Sequence, residues 1–340
     1  MEKARLGRTN LEVVKLGWGG IPIQRVTVDD AVSVIREVVN TGVELLDTAR
    51  GYTDSEEKIG KALEGTKKRV VLSTKSPQRT ADIYNDVRVS LDRLKVKKID
   101  IYHCHNVSNK ADYEKVMAPG GAYEGLKKAQ KEGLIDYLGL TSHSLDMLER
   151  IVEEAHFDVI MTCFSFLEPE AATRIFPKAR AKDIGVLSMK AFSGGVIEKS
   201  GPALRYVLSE PDIVPIPGSE SIDKVQENWN CFAGDRTITA DDTAYIETVR
   251  QEFKQAFCRR CDYCQPCTEG IYIQSIMGLK SFVKRFGAAT IESGWMKDIV
   301  AKARNCTECG TCLPRCPYQL PIPDLIKTNL AWLDGQQAKK

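Results

Sequence analysis

The chain has 340 residues, 43% hydrophobic and 28% charged, and its 48 Lys and Arg nearly balance 46 Asp and Glu for a net charge of +2. That length suits one large domain plus a smaller one, and the near-neutral balance gives no global electrostatic reason to invoke nucleic acid or an anionic membrane as partner. No uncharged apolar run approaches the ~18 residues of a membrane span, and MEKARLGRTN lacks the apolar centre of a secretory signal. The expectation is a cytoplasmic protein, in whose reducing environment the eight of its eleven cysteines that fall in two short clusters are metal ligands rather than disulfides.

From residue 16 to about 234 short apolar, β-branched runs alternate with amphipathic stretches of helical length. The strand runs are LGWGG, ELLDTA, VVLSTK, IDIYHCH, YLGLTSH, VIMTCFS, GVLSMK and IVPIPGS, making eight βα units. The first helix shows the pattern: Thr27 and Asp30 form a capping box, Ala31, Ile35, Val38 and Val39 make one face, and Gly42 stops it. Strands that are apolar along their whole length belong in a parallel sheet covered on both faces. Eight units predict an α/β fold, a (β/α)8 TIM barrel over residues 1–236, with a doubly wound open sheet as the alternative.

Barrel chemistry sits at the C-terminal ends of strands. There the sequence places Asp47 with Tyr52 five residues on, then Lys75, then His103 and His105, then His143. Three of the four histidines therefore fall at predicted strand ends. A tyrosine of ordinary pKa ~10 donates a proton near neutrality only when a cation stabilises its phenolate. Lys75 can supply that cation, Asp47 can hold it, and a histidine can donate a hydrogen bond to a substrate carbonyl oxygen.

DTARGYTDSEEKIGKAL, VLSTK, IDIYHCH and IPGSESIDKVQEN, in this order, resemble the aldo-keto reductases across residues 4 to about 234. The resemblance implies an NADPH-dependent reductase of small aldehydes and ketones, with NADH as the alternative cofactor. Its general acid would be Tyr52, tuned by Lys75 and Asp47, with His105 orienting the carbonyl. His105 is preferred to His103 because it lies nearer the strand end and follows Asp100 and Tyr102 as the family pattern has it. Cofactor contacts are implied for Ser142, His143 and Lys190 at the nicotinamide end. Gly218, Ser219, Lys224, Glu227 and Asn228 are implied at the nucleotide end, Lys224 toward a 2′-phosphate. Met161 and Met189 depart from the glutamine and the aromatic ring common in the family.

After residue 236 the strand pattern stops, and residues 237–340 read as a small, mostly helical domain. TAYIETVRQEF is a predicted helix, residues 268–305 read as mostly helical, DLIKTNLAWL as a short helix, and the end as a frayed polar tail. Cys306, Cys309, Cys312 and Cys316 before Pro317 have the C-x2-C-x2-C-x3-C-P spacing of bacterial ferredoxins, and Cys258, Cys261, Cys264 and Cys267 nearly repeat it. Two [4Fe-4S] clusters are expected, with a pair of zinc sites as the rival. The ferredoxin resemblance implies crossed ligation: Cys258, Cys261 and Cys264 with Cys316, and Cys306, Cys309 and Cys312 with Cys267. The whole resembles the aldo-keto reductases that carry a ferredoxin-like C-terminal domain. The isolated Cys104, Cys163 and Cys231 read as buried small hydrophobes. The clusters either staple a core too small to stand alone or exchange electrons with a redox partner protein or a flavin. An electron-transfer or adaptor protein whose barrel binds nicotinamide but hardly turns over is the competing function.

Overall fold

The computed structural model describes residues 1–292 and 294–337. It divides into two compact units, Met1–Ser193 with Glu198–Asp242, and Gly194–Ile197 with Thr243–Lys340.

The first unit opens with an antiparallel hairpin, β1 (Lys3–Arg5) and β2 (Glu12–Val14). Eight strands follow: β3 (Trp18–Gly19), β4 (Leu45–Asp47), β5 (Val71–Ser76), β6 (Ile99–Cys104), β7 (Ile135–Thr141), β8 (Val159–Cys163), β9 (Gly185–Met189) and β10 (Ile213–Pro215). Neighbours in sequence pair in parallel from β3 to β10. The ends meet through a parallel bridge between Gly19 and Gly218 and a bond from Gly17 N to Pro215 O at 2.9 Å. Helices follow the strands, so the fold is the (β/α)8 barrel and the open sheet falls away.

The helix Val28–Thr41 forms as its sequence dictates. Thr27 Oγ1 accepts from Asp30 N at 3.2 Å, Ala31, Ile35, Val38 and Val39 are buried, and Gly42 takes the left-handed φ of 110° that ends the helix. The hairpin was not expected from the sequence, and its strands of three residues explain why. Its Ala4 and Val13, with Leu6, pack on Leu45, Val71, Ile101, Val159 and Leu187, the inward-facing residues that make the barrel's apolar floor.

In the second unit the helices are Ala240–Phe253 (which begins just before the unit boundary), Ile273–Met277, Leu279–Phe286, Gly294–Ala303 and Ile322–Gln337. The last runs two residues before and four beyond the short helix expected, and Pro323 is tolerated in its first turn, where a missing N–H costs nothing. The end of the expected frayed tail, residues 338–340, lies outside the described residues. Among the described residues no helix is long and apolar enough to cross a membrane.

Candidate active site and cysteine cavities

All six positions of β5 and of β6 are buried although they carry Ser73, Thr74, Lys75, Ser76, Asp100 and His103. Buried polar groups need partners, and these find them in one another. Lys75 Nζ donates to Asp47 Oδ1 at 2.5 Å and to Thr48 O at 2.7 Å, and it also hydrogen-bonds Tyr52. The ammonium lies 5.1 Å from the Tyr52 ring centroid, and that ring meets the His105 ring edge to face at 5.8 Å. Asp47, Tyr52, Lys75 and His105, predicted from three separate segments, thus come together at one point of the barrel mouth.

Burial alone would push Lys75 toward neutrality, but the Asp47 carboxylate and the Tyr52 oxygen outweigh it and hold the ammonium above the ordinary lysine range. Burial pushes the Asp47 carboxyl up, opposed by Lys75 and by the Ser73 hydroxyl. The proton of the pair therefore stays on Lys75. His105 is held down to about 3, first by burial and then by the charges of Lys75 and Arg79, so its imidazole is neutral at physiological pH.

The Tyr52 loop is tied by bonds from Arg50 N to Lys75 O at 2.9 Å, Tyr52 N to Ala49 O at 3.0 Å and Ser55 N to Tyr52 O at 2.9 Å. Buried Glu56 accepts from Thr74 Oγ1 at 2.8 Å and pairs with Arg50 at 3.4 Å. Arg50, Glu56 and Ser73 are absent from the sequence-predicted set. The signal for Ser73 was its place two residues before Lys75, on the same face of one strand. Asp100 and Tyr102, by contrast, serve the fold: Asp100 accepts from Leu72 N at 2.8 Å and pairs with Arg69, and the Tyr102 hydroxyl lies 3.2 Å from Ser90 Oγ.

At the predicted nicotinamide end, Ser142 Oγ lies 3.2 Å from Ser108 Oγ, and His143 Nδ1 lies 2.7 Å from Asn106 Oδ1. Lys190 follows β9 with a left-handed φ of 65°. Buried Met161 lies inside the barrel with the apolar floor. At the nucleotide end, Asn228 Nδ2 donates to Ser219 Oγ at 3.0 Å, while the buried Asn228 Oδ1 has no hydrogen-bond partner among the described residues. Lys224 and Glu227 form an ion pair at 2.7 Å on the first turns of the helix Ile222–Ala233.

In the second unit two cavities sort the eight clustered cysteines. Cys258, Cys261, Cys264 and Cys316 line one; Cys267, Cys306, Cys309 and Cys312 line the other. Each run thus sends its fourth cysteine to the other's cavity. The loops also share a backbone plan, with left-handed residues at Arg260 and Asp262 in the first and at Glu308 and Gly310 in the second. This short structural repeat was not visible in the sequence, where the left-handed positions are held by different residues. Four sulfurs around each cavity are the donor set that a [4Fe-4S] cluster takes. Arg260 N donates to Cys258 Sγ at 3.4 Å, and the Thr268 and Thr311 hydroxyls lie 3.5 and 3.3 Å from the exposed Cys309 Sγ. Of the isolated cysteines Cys104 and Cys163 are buried, but Cys231 is only half-buried, since it follows the exposed Asn230 near the end of its helix.

Residues 14–202 match the Aldo/keto reductase family and residues 257–321 the 4Fe-4S dicluster domain. L-galactose dehydrogenase of Arabidopsis thaliana is 26% identical over 59% of this chain and 69% of its own. D-threo-aldose 1-dehydrogenase of a Pseudomonas species is 27% identical over 56% and 70%. Among solved structures, the holo form of an aldo-keto reductase from Bacillus halodurans superposes with a TM-score of 0.61 at 24% identity, covering 73% of this chain and 96% of that one. An aldo-keto reductase from Klebsiella pneumoniae in complex with NADPH gives 0.61 at 19% identity over 73% and 94%. These two likenesses speak for the fold.

Proposed function

The chain belongs to the aldo/keto reductase family, and from that premise we propose that it reduces a small aldehyde or ketone with NADPH, Tyr52 acting as the general acid. The observation that carries this reading is the Lys75 ammonium, fixed by Asp47 and the Thr48 carbonyl and turned toward Tyr52. A cation in that place stabilises a phenolate, which makes the tyrosine a usable acid near neutrality. Tyr52 gives its proton to the carbonyl oxygen as that oxygen gains negative charge. His105, neutral down to about pH 3, donates a hydrogen bond to the same oxygen without competing as the acid. When bound, the reduced nicotinamide supplies the electron pair that the carbonyl carbon receives.

The chain's own residues suit such a cofactor. Ser142, His143 and Lys190 flank the nicotinamide end, and Gly218 and Ser219 lead into the helix whose N-terminus can face a phosphate. Asn228 offers a buried Oδ1, without a hydrogen-bond partner among the described residues, to an adenine amine, and Lys224 offers a cation to a 2′-phosphate, the feature that favours NADPH over NADH. NADPH in the Klebsiella relative supports the choice. Cys258, Cys261, Cys264 and Cys316 would hold one [4Fe-4S] cluster and Cys267, Cys306, Cys309 and Cys312 a second. A reducing cytoplasm suits both sets of sulfurs.

Replacing Tyr52 by Phe in the iron-loaded protein should lower NADPH-dependent turnover of a carbonyl panel by about 10²–10⁴-fold with NADPH affinity unchanged. Undiminished turnover overturns the mechanism. The exposed Cys309 supports a second reading, in which the cluster unit exchanges single electrons with a redox partner protein or a flavin and the barrel serves mainly to bind nicotinamide. Tight NADPH binding with negligible turnover of the unaltered protein would favour it.

A further inference from the structure

Below Lys75 the polar network runs deeper into the barrel than the general-acid chemistry requires. Ser73 stands two residues before Lys75 on β5, and His103 lies opposite Lys75 on β6. Ser73 Oγ donates to Asp47 Oδ2 at 2.7 Å, and His103 Nε2 lies 3.0 Å from Ser73 Oγ. Because the single hydroxyl proton of Ser73 is committed to Asp47, the proton in the second bond must come from the imidazole. His103 is thereby assigned the neutral form protonated on Nε2. Its Nδ1 has no hydrogen-bond partner among the described residues. Gly139 on β7 leaves the ring its room: a Cβ there would come within 2.1 Å of Nδ1.

A fully buried imidazole with one nitrogen unsatisfied is a costly way to fill space above Ile101, where an aliphatic side chain would serve packing better. What it gains is a directed row of donors, from His103 through Ser73 onto one oxygen of Asp47, while Lys75 binds the other oxygen. We propose that His103 and Ser73 are positioning residues that keep the Asp47 carboxylate ionised and oriented, so that Lys75 stays charged and sets the acidity of Tyr52. The proposal rests on the reading of Tyr52 as the acid. The charged and titratable groups facing the row are Asp47, Lys75, Tyr52 and His105, with Arg79 acting on His105. Burial, with the charges of Lys75 and His105, holds the His103 imidazole well below its ordinary range, in keeping with a neutral ring.

Four histidines make the assignment directly measurable in the full chain labelled with 15N-histidine. Long-range 1H–15N spectra should show one imidazole with a protonated Nε2 and a bare Nδ1, unchanged from about pH 5.5 to 9, and His103→Leu should remove that signal. In kinetics, Ser73→Ala and His103→Leu should each lower kcat by about tenfold with KM unchanged. Both should also move the basic limb of the kcat profile up by roughly half a pH unit, as Tyr52 loses phenolate stabilisation. His103→Gln, which retains an N–H donor, should restore the unaltered profile. A His103 that titrates in this range, a proton on Nδ1, or a His103→Leu profile identical to the unaltered one overturns the proposal. Should His103→Leu fail to fold, Ser73→Ala, which removes only a hydroxyl, decides the kinetic arm. Turnover persisting in Tyr52→Phe would instead sink the general-acid reading, and the tautomer measurement would still stand or fall by itself.

Discussion

In the barrel the reactive side chains decorate a sheet whose floor and outer layer are apolar without them, whereas in the second unit the reactive side chains are woven into the core. Asp47, Lys75 and His103 rise above Leu45, Val71 and Ile101, which pack with the hairpin whatever the polar groups do. The core of the second unit is built from Ile271, Ile273, Ile276, Leu320 and Ile322, and five of the cluster cysteines pack directly against it while a sixth, Cys264, belongs to it. Ile273, Leu320 and Ile322 line one sulfur-lined cavity, and Ile271 and Ile273 line the other. A site and its fold are separable in the first case and are one object in the second.

The strongest way to break this comparison is to take the iron out. Anaerobic chelation followed by hydrogen exchange on the intact chain should cost amides of residues 257–321 at least about a hundredfold of their protection, leaving β4 to β9 as protected as before. Equal protection with and without iron would mean that the isoleucine core stands by itself and that the cysteines decorate it as the tetrad decorates the barrel.

The same difference governs what the sequence disclosed. Cluster cysteines are legible because ligation by one small body forces short, fixed spacings along the chain, so spacing alone carries the chemistry. Asp47, Tyr52, Lys75 and His105 lie on three separate strand ends, and no spacing rule unites them. They became legible through the (β/α)8 pattern, which gathers strand ends, and through the family motifs. Ser73 and the role of His103 stayed hidden because a serine in an apolar strand and a second histidine gain meaning only from pairing across β5 and β6, with a glycine on β7 that leaves room for the ring. The hairpin β1–β2 stayed hidden because three-residue strands leave too little alternation to read.

A smaller effect sharpens the barrel side. His105 has its folded pKa held at about 3, against ~6.5 when unfolded, so the unfolded chain takes up a proton that the folded one refuses. Its contribution to stability is therefore complete above pH ~6.5 and is lost progressively as pH falls toward 3. Urea midpoints of the barrel transition should fall between pH 7 and about 5.5, before most carboxylates titrate, and His105→Gln should flatten that fall. In a chain carrying Trp295→Phe and Trp332→Phe, tryptophan emission from the remaining Trp18 and Trp229 follows this unit, and cluster absorbance follows the other. A slope unchanged by the substitution would show that His105 protonates freely in the folded protein, which would also remove its claim to act as a neutral donor.

The smallest effect tests whether the two units are separable in energy as well as in chemistry. Thr27→Ala removes the side chain that caps the helix Val28–Thr41, leaving Asp30 N without that partner while the buried face of Ala31, Ile35, Val38 and Val39 is untouched. Such a cap is worth ~1 kcal/mol, which for a unit of this size lowers the melting temperature by roughly 2–4 °C. The shift should appear in tryptophan emission of the barrel and leave the loss of cluster absorbance where it was, and Thr27→Ser should show no shift. If both signals move together, the chain unfolds as a single cooperative block. The iron would then be supporting the barrel as well, and the fold that carries Asp47, Tyr52, Lys75 and His105 would depend for its stability on sulfur ligands far along the chain.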